Sequence, residues 1–334
     1  MRAAVVGGGA WGTALANLLA AKGDEVVLWA YEAEVADGIN QRHRNDVFLP
    51  DAPLVPALRA THDVHAAVRD AELIVSAAPS HAVRAVMGAA APSIRTPALI
   101  VSASKGLEPQ GLKRMTEVLA EAVPGCVPVA LSGPTFAREV YERQPTAATV
   151  AATDHAAAVR AQAAMSTGHF RLYTSDDPVG VELAGALKNV IAIAAGILEG
   201  LGLGSNPRAA LITRGLAEMT RLGVTLGAKP LTFAGLSGMG DLVLTATGPL
   251  SRNRSLGVEL GKGRTLAEIQ AGRVTVAEGV GTAKVAVALA ERTGVELPIA
   301  REVARVLFDG KPARQAIGEL MERALKSEAW GTAA

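Results

Sequence analysis

The chain has 334 residues, is 49% hydrophobic, and carries 33 Lys+Arg against 32 Asp+Glu for a formal charge of +1. That is too apolar and too weakly charged for a disordered chain, and its 35 glycines lack the every-third-residue period of collagen. Balanced charge gives no long-range field for a polyanion, and only 3% of residues are aromatic, so nucleic acid is not an expected partner. A single cysteine, Cys126, cannot form an intrachain disulfide, and a cytoplasmic location follows as the default. No run is read as approaching the roughly 18 residues of a membrane span, so no integral membrane segment is expected. Arg2 before residues 3–6 mimics a signal peptide only superficially, because the apolar run stops at three glycines.

In chain order, residues 2–6 and 25–29 read as strands, with helical patterns at 10–21 and 32–44. Further β-rich runs lie at 73–77, 98–102 and 127–131, alternating with helical stretches near 82–91 and 112–122. Such alternation predicts a mainly parallel, doubly wound sheet covered on both faces. Runs at 146–151 and 170–174 add late strands around a helix at 156–165. The polar stretch 174–178 marks a boundary, giving a dinucleotide-binding domain at 1–177 and a mainly α-helical substrate domain at 178–334. The helical patterns of the second part fall at 180–201, 208–222, 266–271, 282–292, 299–308 and 313–325.

Several motifs carry chemistry. Gly7, Gly9 and Gly12 form G-x-G-x-x-G, with Ala10 and Trp11 inside it, directly after a strand pattern and opening a helix pattern. Gly7 permits the tight turn, Gly9 lets backbone approach a pyrophosphate, and Gly12 lets helix meet sheet, with the helix N-terminus facing the anion. The second strand ends before Tyr31 and Glu32, where a dinucleotide fold reads the ribose 2′ position. Glu32 suits a 2′-hydroxyl, or serves only as an acid at a helix N-terminus. Lys105-Gly106 and Ser132-Gly133-Pro134-Thr135 each follow a strand, where ligands of open α/β sheets lie; the plain alternatives are an exposed lysine and a capped turn.

Lys188-Asn189 is the most informative pair, since Lys188 is the only charge in residues 183–198, LAGALKNVIAIAAGIL. A helix apolar all round is buried, and burial disfavours the charged form of lysine, bringing proton exchange within physiological range. The plain alternative is a snorkelling lysine at a domain edge. Asp241, after Gly238-Met239-Gly240, is suited to accept from a substrate hydroxyl or to cap a helix. Ser251-Arg252-Asn253-Arg254 places bidentate anion-binding groups in four residues, or else a solvated helix start. The six histidines form no metal-binding spacing, so no metal site is expected.

These motifs, in this order and together with Gly235–Leu242 and Val276-Ala277-Glu278-Gly279, closely resemble the bacterial NAD(P)-dependent glycerol-3-phosphate dehydrogenases over essentially the whole chain. The resemblance implies a Rossmann-type fold and interconversion of dihydroxyacetone phosphate and sn-glycerol 3-phosphate, feeding glycerophospholipid synthesis, with NADPH or NADH as cofactor. It implies Lys188 as catalytic proton carrier. Substrate contacts fall on Lys105, Gly133, Thr135, Lys188, Asp241, Ser251, Arg252 and Asn253. Cofactor contacts fall on Gly7, Gly9, Ala10, Trp11, Gly12, Tyr31, Lys105, Ala137, Arg252, Val276 and Glu278. Tyr31 stands where the family often has a basic residue, which leaves NADH against NADPH open. A homodimer is compatible with the near-neutral charge. Two rival readings remain: a two-domain reductase of hydroxy or sugar acids, and a non-catalytic nucleotide sensor on the same fold.

Overall fold

The structure is a computed structural model and describes residues 1–271, 277–325 and 327–328. Its first part is built on an eight-stranded sheet: β1 (Arg2–Val6), β2 (Glu25–Trp29), β3 (Arg59–Thr61), β4 (Leu73–Ser76), β5 (Leu99–Ser102), then, after a small hairpin of β6 (Leu107–Glu108) and β7 (Lys113–Arg114), β8 (Val127–Ser132), β9 (Thr146–Ala151) and β10 (Phe170–Ser175). The spatial order is β10-β9-β8-β5-β4-β1-β2-β3, and every pairing is parallel except β8 with β9. Strands β4 and β5 are buried along their whole length, as expected where helices cover both faces. Alternation along β1 divides the core: Ala3 and Val5 join one apolar cluster, Ala4 and Val6 another. The order reverses between β1 and β4, which puts a crevice at the carboxyl ends of the strands, the usual ligand position in this doubly wound, Rossmann-type topology.

Three elements escape the sequence reading. β3 has only three residues, the β6–β7 hairpin two per strand, and neither length allows a visible alternation. The helix expected from residue 112 starts at Met115, because Lys113 and Arg114 belong to β7.

The second part is helical around one central helix, Pro178–Gly200. Its start is fixed locally. Pro178 stands in the first turn, where its missing N–H costs nothing, and Asp177 caps it by accepting from the Gly180 N–H at 2.8 Å. Helices Ser205–Thr225, Asp241–Thr247, Arg252–Gly261 and Glu278–Thr293 pack around it. This helix corrects the expectation that no segment suits a membrane: by length and composition it qualifies, with 94% of the relevant window buried inside the protein. Its apolarity serves the core of the helical part.

The approach of Arg252–Gly261 to the central helix is closer than ordinary side chains allow. A Cβ on Gly196 would collide with the Arg254 carbonyl oxygen, and one on Gly257 with that of Ile193. Backbone-to-backbone contact of this kind fixes the axial register of the two helices, and so the placement of Arg252 and Asn253 relative to Lys188 and Asn189.

Candidate active site

The turn after β1 is shaped by missing side chains. Gly7 has φ +134°, and a Cβ there would lie 2.7 Å from the Ala77 carbonyl carbon. A Cβ on Gly12 would collide with the Gly7 carbonyl oxygen, so Gly12 is needed for helix and turn to meet. Gly9 differs, because a Cβ there meets no protein atom within 4 Å. The open volume on that side, at the start of helix Ala10–Lys22, fits a pyrophosphate. No side chain caps this helix and no acid occupies its first turn, so its first amides and positive dipole end remain for an anion.

Asn45, absent from the sequence reading, braces this turn. It is 1% exposed, and its Nδ2 donates to the Gly8 carbonyl oxygen at 2.7 Å and to Thr13 Oγ1 at 2.8 Å. Trp11 is tethered to the end of β5 through Nε1–H to the Ala103 carbonyl oxygen at 3.2 Å, with its ring edge-on to Phe170. Past β2, Tyr31 is 80% exposed and meets Trp29 edge-on, while Glu32 precedes helix Ala33–Arg42 without capping it through its side chain. Ala137 opens helix Ala137–Tyr141 beyond β8.

Lys105, Lys188 and Asp241 form a triad of charges, with Lys188 and Asp241 buried and Lys105 partly so. Asp241 is 1% exposed; Oδ1 accepts from Lys188 Nζ at 2.9 Å and Oδ2 from Lys105 Nζ at 2.8 Å. Lys105 Nζ also donates to the Gly133 carbonyl oxygen at 2.7 Å and to Thr135 Oγ1 at 3.1 Å. Lys188 Nζ donates to Thr245 Oγ1 at 2.7 Å; Thr245 lies one turn from Asp241 on helix Asp241–Thr247. Burial pushes the Lys188 ammonium down to about 8; the Asp241 carboxylate opposes the shift, and the positive charges of Lys105 and Arg252 add to it. Burial works against ionisation of Asp241 as well, but the two lysines outweigh it and hold the carboxyl below its usual range. Two cations share one anion, leaving the site with a net positive charge that suits an oxyanion.

The plain alternatives fail here. Lys188 is 5% exposed and does not snorkel, Lys105 is held by three acceptors, and Asp241 directs its carboxylate to lysines instead of capping its helix. Gly133 has φ +149°, and a Cβ there would lie 2.8 Å from the Ala148 Cα, so the turn after β8 also depends on glycine.

A second polar cluster adjoins the triad. Asn189 Nδ2 donates to the Lys105 carbonyl oxygen at 3.0 Å, and its Oδ1 accepts from Asn253 Nδ2 at 2.9 Å. Asn253 Oδ1 in turn accepts the Gly279 N–H at 3.0 Å, at the start of helix Glu278–Thr293. Arg252 makes no hydrogen bond or salt bridge among the described residues; partial burial lowers its pKa and the nearby Glu278 carboxylate opposes that shift, leaving its guanidinium N–H groups open to an anion. Ser251 follows the plain alternative: its buried hydroxyl caps helix Arg252–Gly261 by accepting the Arg254 N–H at 3.2 Å. Glu278 accepts from both the hydroxyl and the N–H of Ser80, in the loop after β4. Val276 lies outside the described residues. No group of three His, Cys, Asp or Glu among the described residues is arranged to hold a metal.

Sequence reasoning missed Thr245, Asn45 and Ser80. Thr245 has a signal, being four residues after Asp241 and so on the same helix face. Asn45 and Ser80 join their partners only through the tertiary fold.

Residues 2–158 match the family described as NAD-dependent glycerol-3-phosphate dehydrogenase N-terminus, and residues 177–318 the corresponding C-terminus. A glycerol-3-phosphate dehydrogenase [NAD(P)+] from Geobacter sulfurreducens is 54% identical over 333 residues, covering 98% of this chain and 99% of that protein. One of the same name from Myxococcus xanthus is 52% identical, with 99% and 100% covered. Among solved structures, glycerol-3-phosphate dehydrogenase from Coxiella burnetii superposes with a TM-score of 0.93 at 39% identity, covering 96% of this chain and 99% of that one.

Proposed function

The chain belongs to the family of NAD-dependent glycerol-3-phosphate dehydrogenases, and from that premise we propose how its own residues run the reaction. The reaction is the reversible, NAD(P)-dependent reduction of dihydroxyacetone phosphate to sn-glycerol 3-phosphate, which feeds glycerophospholipid synthesis. Lys188 is the proton carrier, and one observation carries that role: its Nζ is buried and bonded to the same carboxylate that holds Lys105. The bound NAD(P)H supplies the hydride. Gly7, Gly9, Ala10, Trp11 and Gly12 would hold the cofactor's pyrophosphate end, with Tyr31, Lys105, Ala137, Arg252 and Glu278 as its further contacts.

The substrate phosphate meets Arg252 and Asn253, the one offering a free guanidinium, the other an amide already oriented by Asn189 and Gly279. That anchor orients the C2 carbonyl oxygen toward Lys188. As negative charge develops on this oxygen, Lys188 donates its proton there, and Lys105 adds positive charge beside it. Asp241 keeps Lys188 charged in spite of burial and fixes the separation of the two ammonium groups. Thr135 and the Gly133 carbonyl hold Lys105, so both contribute by placing that charge. Ser251 contributes by starting the helix that carries Arg252 and Asn253.

We place the domain boundary between Asp177 and Pro178. The Asp177 cap of helix Pro178–Gly200 supports it, and the C-terminal family match starts at residue 177 beside it. A cytoplasmic location accords with the lone free Cys126, and a homodimer is checked by sedimentation. Lys188→Met should bind NADH within about twofold of wild type and lose about 10²–10⁴ in turnover of dihydroxyacetone phosphate. Near-normal turnover would overturn the assignment. A preference for 2-keto acids over dihydroxyacetone phosphate would favour the hydroxy-acid reductase reading instead.

A further inference from the structure

We infer that Ser80 is a positioning residue that sets the Glu278 carboxylate for cofactor binding and straps the helical part to the sheet across the cleft. The inference rests on the reading of Glu278 as a cofactor contact. Ser80 lies beyond the carboxyl end of β4, next to the crevice where strand order reverses, and is 7% exposed. Its Oγ–H donates to Glu278 Oε2 at 2.6 Å, and its N–H donates to Oε1 at 3.2 Å. Two donors from one residue fix both the place and the plane of the carboxylate, as a single contact would not. Each oxygen keeps a lone pair for a donor in the cleft, such as a ribose hydroxyl or carboxamide N–H.

Besides Ser80, the carboxylate has the Arg252 charge and the turn after Lys105 near it. A Cβ on Gly106 would stand 2.9 Å from Glu278 Oε2 and collide with Ser80 Oγ, so the turn after Lys105 presses on the pair. On the helical side, Glu278 is followed by Gly279, whose N–H is held by Asn253 and, through it, by Asn189. The Ser80–Glu278 pair therefore joins the β4 loop to the first turn of helix Glu278–Thr293. The carboxylate sits at the first position of helix Glu278–Thr293, where the helix dipole also favours it. Without the Ser80 hydroxyl, the stronger of its two bonds is lost, and the carboxylate must be ordered anew when a cofactor arrives.

The test uses the full-length enzyme and NADH as the probe. Ser80→Ala should raise the NADH Kd, read by quenching of tryptophan fluorescence without substrate, by about tenfold. The KM for NADH should rise in parallel, while kcat at saturating NADH and the KM for dihydroxyacetone phosphate stay within about twofold. Ser80→Thr, which keeps both donors, should restore the Kd. In a double-mutant cycle with Glu278→Gln the two effects should be strongly non-additive, which a general packing defect would not produce. An unchanged Kd in Ser80→Ala beside a weakened Glu278→Gln would overturn the Ser80 role and leave the reading of Glu278 standing. An unchanged Kd in both variants would overturn both. A fall in kcat with no change in Kd would also overturn the positioning role.

Discussion

At the end of β1 the chain meets its ligand with backbone and empty space: Gly7 takes a positive φ, Gly9 leaves its side open, and Gly12 lets a helix touch the turn. On helix Pro178–Gly200 the candidate site uses charged side chains held largely out of water: Lys188 and, bonded to it or beside it, Asp241 and the partly buried Lys105. Both regions are suited to an anionic group. One uses uncharged amides and a helix dipole, at little desolvation cost. The other holds ionised groups out of water, which is tolerable only because each has a partner. The difference implies opposite sensitivities: the turn should respond to added volume, the triad to altered charge at constant volume.

The largest effect is expected at Asp241. Asp241→Asn preserves shape and removes the charge that buried Lys188 and partly buried Lys105 share, so unfolding by denaturant should show a loss of about 3–5 kcal/mol. Lys188 would lose the group that keeps its ammonium charged, so reduction at pH 7 should fall and its high-pH limb move to lower pH. A stable, active Asp241→Asn would break the comparison on its charged side.

Gly12→Ala and Gly9→Ala sharpen the other side. At Gly12 the added methyl collides with backbone, so stability should fall by about 1–3 kcal/mol and NADH affinity with it. At Gly9 the methyl meets no protein atom, so stability should stay within about 0.5 kcal/mol while NADH affinity still falls, because the space is the ligand's. Equal losses of stability in the two variants would contradict that division. The smallest effect concerns Tyr31, which is exposed. Tyr31→Arg should improve kcat/KM for NADPH over NADH by about fivefold, since an exposed ion pair contributes only about 1 kcal/mol. No change in the ratio would place the 2′ position elsewhere.

Much of this was legible in the chain, and the exceptions have physical causes. The turn is contiguous, so residues 7–12 announce it from spacing alone. Lys188 announces itself by contrast, as the one charge in residues 183–198. Asp241 stood out as a carboxylate after a glycine-dense turn, and Thr245 shares its helix face four residues on, but their pairing with Lys188 did not show, because they lie 53 and 57 residues away. Asn45 is 37 residues from the Gly8 it braces, and Ser80 is 198 from Glu278. Side chains that bond across such distances carry no local pattern. Ser251 shows the reverse case, where a residue in a chemical motif serves mainly to start a helix. The short strands β3, β6 and β7 were invisible because two or three residues cannot display a period.

Lys188, tuned by burial, is the proposed proton carrier. The most direct measurement is the pH dependence of kcat/KM in both directions, for wild type and Lys188→Met. Reduction needs the protonated lysine, so it should fall as pH rises through about 8, while oxidation of sn-glycerol 3-phosphate needs the neutral amine and should rise over the same range. In Lys188→Met both limbs should disappear along with most of the rate. A variant that keeps the two opposed limbs near pH 8 would contradict the account, since another group would then be moving the proton.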